Sequence, residues 1–422
     1  MSSKGRRTGV LFISSAEHPG ADTFIHTLIM RTLDRSHFDV HIACSAGRPA
    51  APTPAFTALT SIPDVHLRPS NFGPSLTGLS PIRRVLALVG VVGAMFGLLG
   101  LARYVRRNRI AVLHSTDRPR DAVACALLGR LTGAKSIIHA HLKVAGWMSS
   151  SLRGSMGRVD ALIGVSKFVA RSLGEYGYER EKIFAVLNAT DLPRWDPAID
   201  GQPVRNEFGL TPDTPLIVCA GRLFRGKGQD VVIRALPLVR REFPDVRLLI
   251  VGADDRQAMR GSFTEELKLL ARELAVEENV IFAGQRSDMP AVMASATVFA
   301  LPSDEEPFGL VFAEAMAMRK PVVALDNGGT PEVVDHGRSG LLSAPGDQRG
   351  LASNILTLLR DPELARRMGD YGRAQVEARF TADRMATEVG RVYASLTASS
   401  NPSPAGLADD SASPSEIVGA HD

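Results

Sequence analysis

Two glutamates stand at the start of a predicted helix in the second half of the chain. The run from Pro302 to Ala317 leaves an apolar strand, passes through an acidic loop and enters a helix near Gly309. Glu306 lies just before this helix, and Glu314 lies two turns inside it. Carboxylates are strong acceptors that suit sugar or ribose hydroxyls, and the free amides of a helix N-terminus suit an anionic group. By itself, either glutamate is more simply explained by a solvated acidic loop or an ordinary helix.

A basic, glycine-rich loop follows another predicted strand. The stretch from Gly221 to Gly228 reads GRLFRGKG and gathers Arg222 and Lys227 at the carboxyl end of the strand. Two cations at this place could neutralise a diphosphate leaving group, a task that a metal ion performs in other enzymes. The alternative is a basic surface turn. Because a glycine follows Lys227 where a P-loop has Ser or Thr, a P-loop nucleoside triphosphatase is disfavoured.

Further glycine turns also follow predicted strands. The stretch from Gly328 to Val333 reads GGTPEV, with a proline near the first helical position, and Gly20 lies in the turn after the first strand. Because the carboxyl ends of parallel strands meet at one edge of a sheet, we expect these loops to line one cleft between the two halves of the chain.

The sequence offers no metal motif at this cleft. Asp254 and Asp255 follow a strand but lack further acidic partners, so we predict metal-independent activity with no metal ligand and no cofactor. The three cysteines, Cys44, Cys125 and Cys219, are far apart and form no CxxC pair. This spacing argues against a disulfide framework or a zinc site and is typical of a reducing compartment. The polar N-terminus runs directly into a strand, which predicts no signal peptide.

Short apolar runs alternate with helical segments in both halves of the chain, which predicts an α/β protein with two Rossmann-like domains, each a parallel sheet with helices on both faces. We place the domains at residues 1–192 and 205–375, joined by a linker around Leu192–Pro215. A C-terminal helix at 376–397 is expected to pack back on the first domain, and 398–422 is expected to be disordered. The predicted strands are Gly9–Ile13, Phe38–Cys44, Ala111–His114, Ser136–His141, Ala161–Val165, Ile183–Leu187, Leu216–Ala220, Val246–Val251, Val280–Ala283, Thr297–Leu301 and Pro321–Leu325.

One apolar segment departs from this alternation. Val85–Ala102 contains no polar side chain and is bracketed by arginines, within a helix predicted at 83–103. As a helix it would be about 27 Å long, but a full span would place strands of one sheet on opposite sides of a membrane. The segment could be covered by the protein core, by a partner subunit or by a lipid interface, of which we favour the last.

The distribution of charge favours an anionic membrane surface over nucleic acid as the binding partner of the chain. The formal net charge is +4, and seven arginines and no acid lie between Val65 and Thr116. These arginines flank the apolar segment and are not interleaved with aromatic residues, so an anionic membrane surface is the expected partner and nucleic acid is not.

From Gly221 to Leu342 the chain resembles the donor-binding domain of family 4 glycosyltransferases, which have the GT-B fold. The resemblance is carried by three motifs. Glu306 to Glu314 matches the family's E-x7-E pattern, and the two glycine loops match its GRLxxxKG and GGxPE patterns. The remainder of the chain, from Thr8 to about Leu396, follows the same order of elements more loosely.

The resemblance implies roles on the donor side. Arg222 and Lys227 would bind the donor diphosphate, Glu306 would hold hydroxyls of the transferred sugar, and Glu314 would hold the ribose. Arg286 would lie where the family holds the nucleotide base. Backbone amides would be offered by Phe308, Gly309 and Leu310.

On the acceptor side the resemblance places a histidine beside the sugar. His141 ends a predicted strand at that position, with His139 and His114 as competing candidates, and Gly20 falls in the family's first loop. The chain departs from the family pattern here, since Leu142 follows His141 where an aspartate is usual. This half would be the acceptor-binding domain.

The implied activity is retaining transfer of a sugar from a nucleotide-diphosphate-sugar to a lipid-linked or polysaccharide acceptor, at the cytoplasmic face of the cell membrane. The acceptor would attack on the face of the leaving group, with Glu306, His141, Arg222 and Lys227 as the catalytic group. Two alternatives stay open. One is another GT-B enzyme, a nucleotide-sugar 2-epimerase or a phosphorylase, and the other is a non-catalytic, membrane-attached sugar-nucleotide sensor.

Overall fold

The computed structural model describes residues 7–48, 51–73, 81–255 and 261–398. Within them the chain forms two large parallel sheets, each packed against helices, and one short antiparallel pair of strands. The predicted fold of two Rossmann-like α/β domains is confirmed.

The first domain is built on a seven-stranded sheet. Its strands are β1 (Thr8–Ser14), β2 (Phe38–Cys44), β3 (Gly47–Arg48), β4 (Ala51–Pro52), β5 (His66–Pro69), β6 (Ile110–Thr116), β7 (Lys135–Ala140), β8 (Ala161–Gly164) and β9 (Ile183–Ala185). The short strands β3 and β4 pair with each other, and the others are parallel in the order β5-β2-β1-β6-β7-β8-β9. Its helices are α1 (Ala21–Thr32), α2 (Pro54–Thr60), α3 (Pro81–Arg107), α4 (Pro119–Thr132), α5 (Ser150–Met156) and α6 (Lys167–Glu175).

The second domain repeats this plan on a six-stranded parallel sheet. Its strands are β10 (Leu216–Ala220), β11 (Arg247–Val251), β12 (Val280–Gly284), β13 (Val298–Ala300), β14 (Val322–Leu325) and β15 (Gly340–Ser343), in the order β12-β11-β10-β13-β14-β15. The helices are α7 (Gln202–Glu207), α8 (Gln229–Arg240), α9 (Phe263–Glu273), α10 (Met289–Ser295), α11 (Leu310–Ala317), α12 (Thr330–Val333), α13 (Gln348–Arg360), α14 (Pro362–Arg379) and α15 (Ala382–Thr397).

Two strands of the large sheets, β5 and β15, were not predicted. Both lie at an edge of their sheet. The residues of β5 are mostly exposed, so they lack the buried apolar run on which a strand prediction depends. Strand β15 (Gly340–Ser343) contains no β-branched or aromatic residue, so its sequence does not favour a strand.

The linker and the C-terminal helix differ in detail from the prediction. The predicted linker contains α7, and the buried Arg205 of this helix donates to the carbonyl oxygens of Ser295 and Thr214 at 2.9 and 2.8 Å. The predicted helix at 376–397 is divided, since the Thr381 side chain accepts the amide of Arg384 and starts α15 afresh. This last helix packs against α1 in the first domain. Except for Ala398, the predicted disordered tail lies outside the described residues.

The long apolar segment forms most of α3. Leu101, Ala102 and Val105 are buried against the first domain, whereas Val92 and Phe96 are exposed. The described part of the segment is thus partly buried in the first domain and partly exposed to solvent. Among the helices that the structure describes, none is long and apolar enough to cross a membrane.

Candidate functional site

The centre of the site is an ion pair between two loops of the second domain. Lys227 Nζ lies 2.5 Å from Glu306 Oε2, and Ser303 Oγ donates to the same oxygen at 2.8 Å. The loops can approach this closely because Gly228 has a φ of 84° and a Cβ there would lie 2.2 Å from the carbonyl oxygen of Pro302. Only 18% of the Lys227 side chain and 12% of the Glu306 side chain are exposed, so the pair is largely shielded from water.

Arg222 lies at the outer side of this pair. Its Nη1 is 2.5 Å from Asp255 Oδ2, and 67% of its side chain is exposed. Arg222 and Lys227 approach the same aromatic ring, at 5.4 and 5.8 Å from the centroid of Phe224. The structure therefore brings the two predicted cations together around one ring. The neighbouring Asp254 accepts the amide of Thr264 at 2.9 Å and so helps to start α9.

The loop after Glu306 leads into α11. Gly309 precedes the helix with a φ of 88°, a conformation that favours glycine, and Leu310 is its first residue. Phe308 is 2% exposed and packs edge-on against Phe380, with ring centroids 5.6 Å apart. This anchor holds the N-terminal turn of α11, with its free amides, beside the Lys227–Glu306 pair.

Glu314 lies on α11 itself. Burial raises the pKa of Glu314 to about 8, and the more distant charge of Arg194 opposes this rise. Its carboxyl group makes no hydrogen bond within the part of the chain that the structure describes. A carboxyl group in this position could accept hydrogen bonds from hydroxyl groups of a ligand, most strongly when it is ionised.

Arg286 lies two residues beyond the edge strand β12. Its guanidinium binds Glu207 through two contacts of 2.7 and 2.8 Å and binds Asp288 at 2.7 Å. It also lies over the ring of Phe208, 5.7 Å from the centroid. The structure thus gives Arg286 a role in joining α7 to the start of α10, and its contact with a nucleotide base stays a prediction.

The opposing rim of the cleft belongs to the first domain. His141 follows β7, and its backbone amide donates to Asp117 at 2.9 Å. Burial lowers the pKa of His141 to about 4 and raises the pKa of Asp117 to about 7. Gly20 precedes α1, whose first turn carries Asp22 in an ion pair with Arg118. Sequence reasoning missed Asp117, although it follows β6 at the same sheet edge as His141.

The GGTPEV turn provides a contact between the domains. The carboxylate of Glu332 accepts the backbone amides of Lys167 and Phe168 at 2.7 and 2.6 Å, at the start of α6. A carboxylate is favourable there because the first amides of a helix lack partners within it and carry a partial positive charge. Gly329 lies beneath the acidic loop, where a Cβ would be 2.3 Å from the carbonyl oxygen of Pro307.

Two further contacts cross the cleft beside Glu306. Lys143 forms an ion pair with Glu305, and Ser166 Oγ donates to the carbonyl oxygen of Pro307 at 2.5 Å. Lys143 is two residues after His141, and Glu305 precedes Glu306. The loop that carries His141 therefore faces the loop that carries Glu306, as the predicted cleft requires.

Comparison with known proteins identifies two matching families. Residues 20–194 match the family described as Glycosyltransferase Family 4, and residues 202–375 match the family described as Glycosyl transferases group 1. The first match begins just before α1 and lies in the first domain, and the second begins at α7 and ends within α14.

The chain matches more than two thirds of the length of individual relatives. The chain is 35% identical over 277 residues to a GDP-mannose-dependent alpha-(1-6)-phosphatidylinositol monomannoside mannosyltransferase of Mycolicibacterium smegmatis, covering 60% of this chain and 69% of the relative. It is 31% identical over 313 residues to the protein of the same description in Mycobacterium tuberculosis, covering 68% and 77%. A similar solved structure is Anabaena Alr3699/HepE in complex with UDP, with a TM-score of 0.75, 22% identity and coverage of 92% of this chain and 100% of that one.

Proposed function

The chain belongs to the family 4 glycosyltransferases of the GT-B fold, and from this membership we propose that it transfers a hexose with retention of configuration, without a metal ion, to a lipid-linked acceptor. The observation that carries the proposal is the Lys227–Glu306 ion pair at the N-terminus of α11. Its cation would suit a diphosphate and its carboxylate would suit a sugar, at the mouth of the sheet where nucleotides bind in open α/β domains.

The proposed chemistry uses the leaving group itself. Retention by double displacement needs a second carboxylate placed as a nucleophile. In front-face transfer the acceptor hydroxyl instead enters on the side of the leaving diphosphate, and a diphosphate oxygen takes its proton. Arg222, Lys227 and the amides of α11 would stabilise the charge that builds on the diphosphate. His141 would hold a sugar hydroxyl as a neutral imidazole, consistent with its lowered pKa.

Metal independence is supported by the partners of the two acids nearest the basic loop. Asp255 pairs with Arg222, and Asp254 binds Ser262 and Thr264. One of these acids is thus paired with a cation of the protein, and hydroxyl groups donate to the other.

The donor and the acceptor are proposed from the relatives. The two mannosyltransferases named above use GDP-mannose and act on a phosphatidylinositol monomannoside. We infer that this chain also acts on a lipid-linked sugar and that GDP-mannose is the first donor to test.

A donor screen tests this function. The purified chain is incubated with GDP-mannose and with UDP-, ADP- and TDP-glucose, with a phosphatidylinositol mannoside acceptor, and with or without EDTA. The expected result is EDTA-resistant release of nucleoside diphosphate from one donor and a product with that donor's anomeric configuration by NMR. Activity that EDTA abolishes and Mg²⁺ or Mn²⁺ restores would contradict the metal-independent mechanism, and an inverted product would contradict retention.

The exposed face of α3 supports attachment to the membrane surface. Val92, Met95, Phe96 and Leu99 are 53%, 61%, 70% and 58% exposed, and their spacing places them on one face of the helix. This face continues into the exposed Arg103 and Arg106 near the end of α3. An apolar stripe that ends in arginines matches an anionic lipid surface, with the apolar groups among the acyl chains and the arginines at the headgroups. This would place the enzyme on the inner face of the cell membrane.

Charge placed in this stripe is expected to weaken vesicle binding. Met95→Glu combined with Phe96→Glu should lower the partition coefficient on phosphatidylglycerol-containing vesicles by about tenfold or more, because two apolar side chains no longer enter the lipid. Cosedimentation measures this, and Leu269→Glu is the matched control, since Leu269 is 54% exposed on α9 of the second domain. Unchanged binding by the double variant would contradict the proposal. So would light scattering in which this variant turns a dimer into a monomer, because the stripe would then bind a second copy.

A further inference from the structure

Three histidines meet inside the first domain, behind the rim that carries His141. His26 comes from α1, His114 from β6 and His139 from β7, and none of them is more than 4% exposed. One possible ligand atom from each ring lies within 4.8 Å of those from the other two. The ring centroids of His26 and His114 are 4.7 Å apart, and those of His26 and His139 are 5.5 Å apart. Three imidazoles from three separate elements thus share one small buried space.

Four of the six ring nitrogens of these histidines lack a hydrogen-bond partner within the described part of the chain. Among the described residues nothing binds Nε2 of His26, Nε2 of His114 or either ring nitrogen of His139. A buried polar atom without a partner destabilises a fold, and native proteins contain few of them. Four such atoms in one cluster indicate that a group other than a protein side chain completes the site.

His114 is oriented by the C-terminal helix. Its Nδ1 lies 2.5 Å from Oη of Tyr393, which is fully buried on α15. A hydrogen bond at Nδ1 leaves Nε2 for the space shared with the other two rings. Metal-bound histidines are normally held in this way, by a hydrogen bond at the nitrogen that does not bind the metal.

We propose that His26, His114 and His139 bind a divalent transition-metal ion, with Zn²⁺ as the ion best suited to a closed, buried site of imidazoles. Imidazole nitrogen suits Zn²⁺, Cu²⁺ and Ni²⁺, whereas Mg²⁺ and Ca²⁺ take oxygen ligands. Metal–nitrogen bonds of about 2.0–2.1 Å would draw the rings inward. His141 is a neighbour of this group, with its ring centroid 4.6 Å from that of His139, and its Nε2 has no partner in the described part of the chain.

The role of this ion is structural and does not depend on the proposed function. Lys227 and Glu306 belong to the second domain, whereas the histidines lie in the core of the first. Tyr393 is part of the apolar cluster through which α15 packs on the first domain. Metal bound to His114 would therefore stabilise the docking of the C-terminal helix.

Metal titration of the chain, purified without a polyhistidine tag and stripped with a chelator, tests the site. Zn²⁺ is expected to bind at one equivalent per chain and to raise the Tm by about 5 °C or more, since an ion that binds only the folded state stabilises it. Co²⁺ should give the visible absorption of a tetrahedral site. X-ray absorption of the zinc form should show three or four imidazole nitrogens at about 2.0 Å.

Variants assign the ligands. His26→Leu and His139→Phe should each weaken Zn²⁺ binding by at least about tenfold and remove the rise in Tm. His66→Ala is the control, because His66 belongs to a second, partly exposed group with Asp39 and His41 that could also hold a metal. Stoichiometric binding that survives both core variants but is lost in His66→Ala would overturn the assignment, as would the absence of binding by Zn²⁺, Co²⁺ and Ni²⁺. If the core variants fail to fold, X-ray absorption of the unaltered chain decides, and a shell without imidazoles rejects the site.

Discussion

Replacing Lys227 by alanine is expected to lower kcat for sugar transfer by about 100- to 1,000-fold, the loss typical when one group that stabilises developing charge is removed. Lys227 is the largely buried cation of the site, and its ammonium group contacts Glu306 at 2.5 Å. The bound donor would bring its diphosphate to this cation. Without it, the charge that builds on the leaving group would lose its nearest shielded counter-charge. Release of nucleoside diphosphate at saturating donor measures the effect.

The control for this experiment lies two residues away. Arg225 belongs to the same loop, but 74% of its side chain is exposed and it pairs with Glu266 on α9. Arg225→Ala should therefore keep kcat within about twofold of the unaltered enzyme. An equal loss in both variants would assign the effect to the loop conformation and not to the charge of Lys227. A double-mutant cycle of Lys227→Ala and Glu306→Gln separates two effects of the lysine substitution: the lost contact with the leaving group and the loss of the partner of Glu306.

Glu314→Gln is expected to weaken nucleoside diphosphate binding by about 10- to 100-fold, because hydrogen bonds of ribose hydroxyls to a charged carboxylate are stronger than those to an amide. The pKa of Glu314 in the free protein is about 8. Ribose hydroxyls that donate to the carboxylate favour its ionised form, so binding near pH 7 should release a proton. Calorimetry in buffers of different ionisation enthalpy should show this release for the unaltered chain and not for the variant.

Glu314→Gln is expected to weaken nucleotide binding but to increase the relative stability of the chain at high pH. The folded-state pKa of Glu314 is raised from 4.5 to about 8, so the folded form holds a proton that the unfolded form loses between these values. The stability that the protonated Glu314 contributes is therefore fully present below pH 4.5 and is lost as the pH rises through 8. Glutamine does not titrate, so the stability of the variant relative to the unaltered chain should rise between pH 4.5 and pH 8, by up to about 5 kcal/mol.

Thermal unfolding from pH 5 to pH 9 measures this difference. Glu273→Gln, at an exposed position at the end of α9, is the control. If Glu314→Gln binds nucleoside diphosphate as tightly as the unaltered chain, the assignment of Glu314 to the ribose site is wrong. A stability difference that does not change with pH would mean that burial does not hold the proton on Glu314.

Much of the fold followed from local patterns. The buried apolar run of β10 predicted this strand with its observed bounds, because every side chain contributes to the pattern, and the bounds predicted for β2 were also observed. The edge strand β5 escaped prediction, since its pairing with β2 depends on backbone hydrogen bonds that leave no trace in side-chain polarity. The exposure of one face of α3 also needed the structure, because the segment is apolar on all sides.

In the candidate site, too, the sequence predicted some features and only the structure showed the others. The glycines and charges of the donor loops are close in sequence, so Lys227 and Glu306 could be named from their own segments. Their ion pair could not, because it joins residues 79 apart through two strand ends of one sheet. Glu332 was recognised only as part of a motif, and its contact with the amides of α6 appears when the domains meet.

The histidines show most clearly where local reasoning ends. His114 and His139 could be named only as alternatives to His141 for a single role, and the absence of a metal motif in the sequence predicted no metal site. Side-by-side packing of β6 and β7, the crossing of α1 and the return of α15 bring His26, His114, His139 and Tyr393 together. Residue type and short spacing set which strands, helices and loops form, because those forces act between neighbours in the chain. Strand order and domain packing set which distant side chains meet, because those contacts depend on the path of the whole chain.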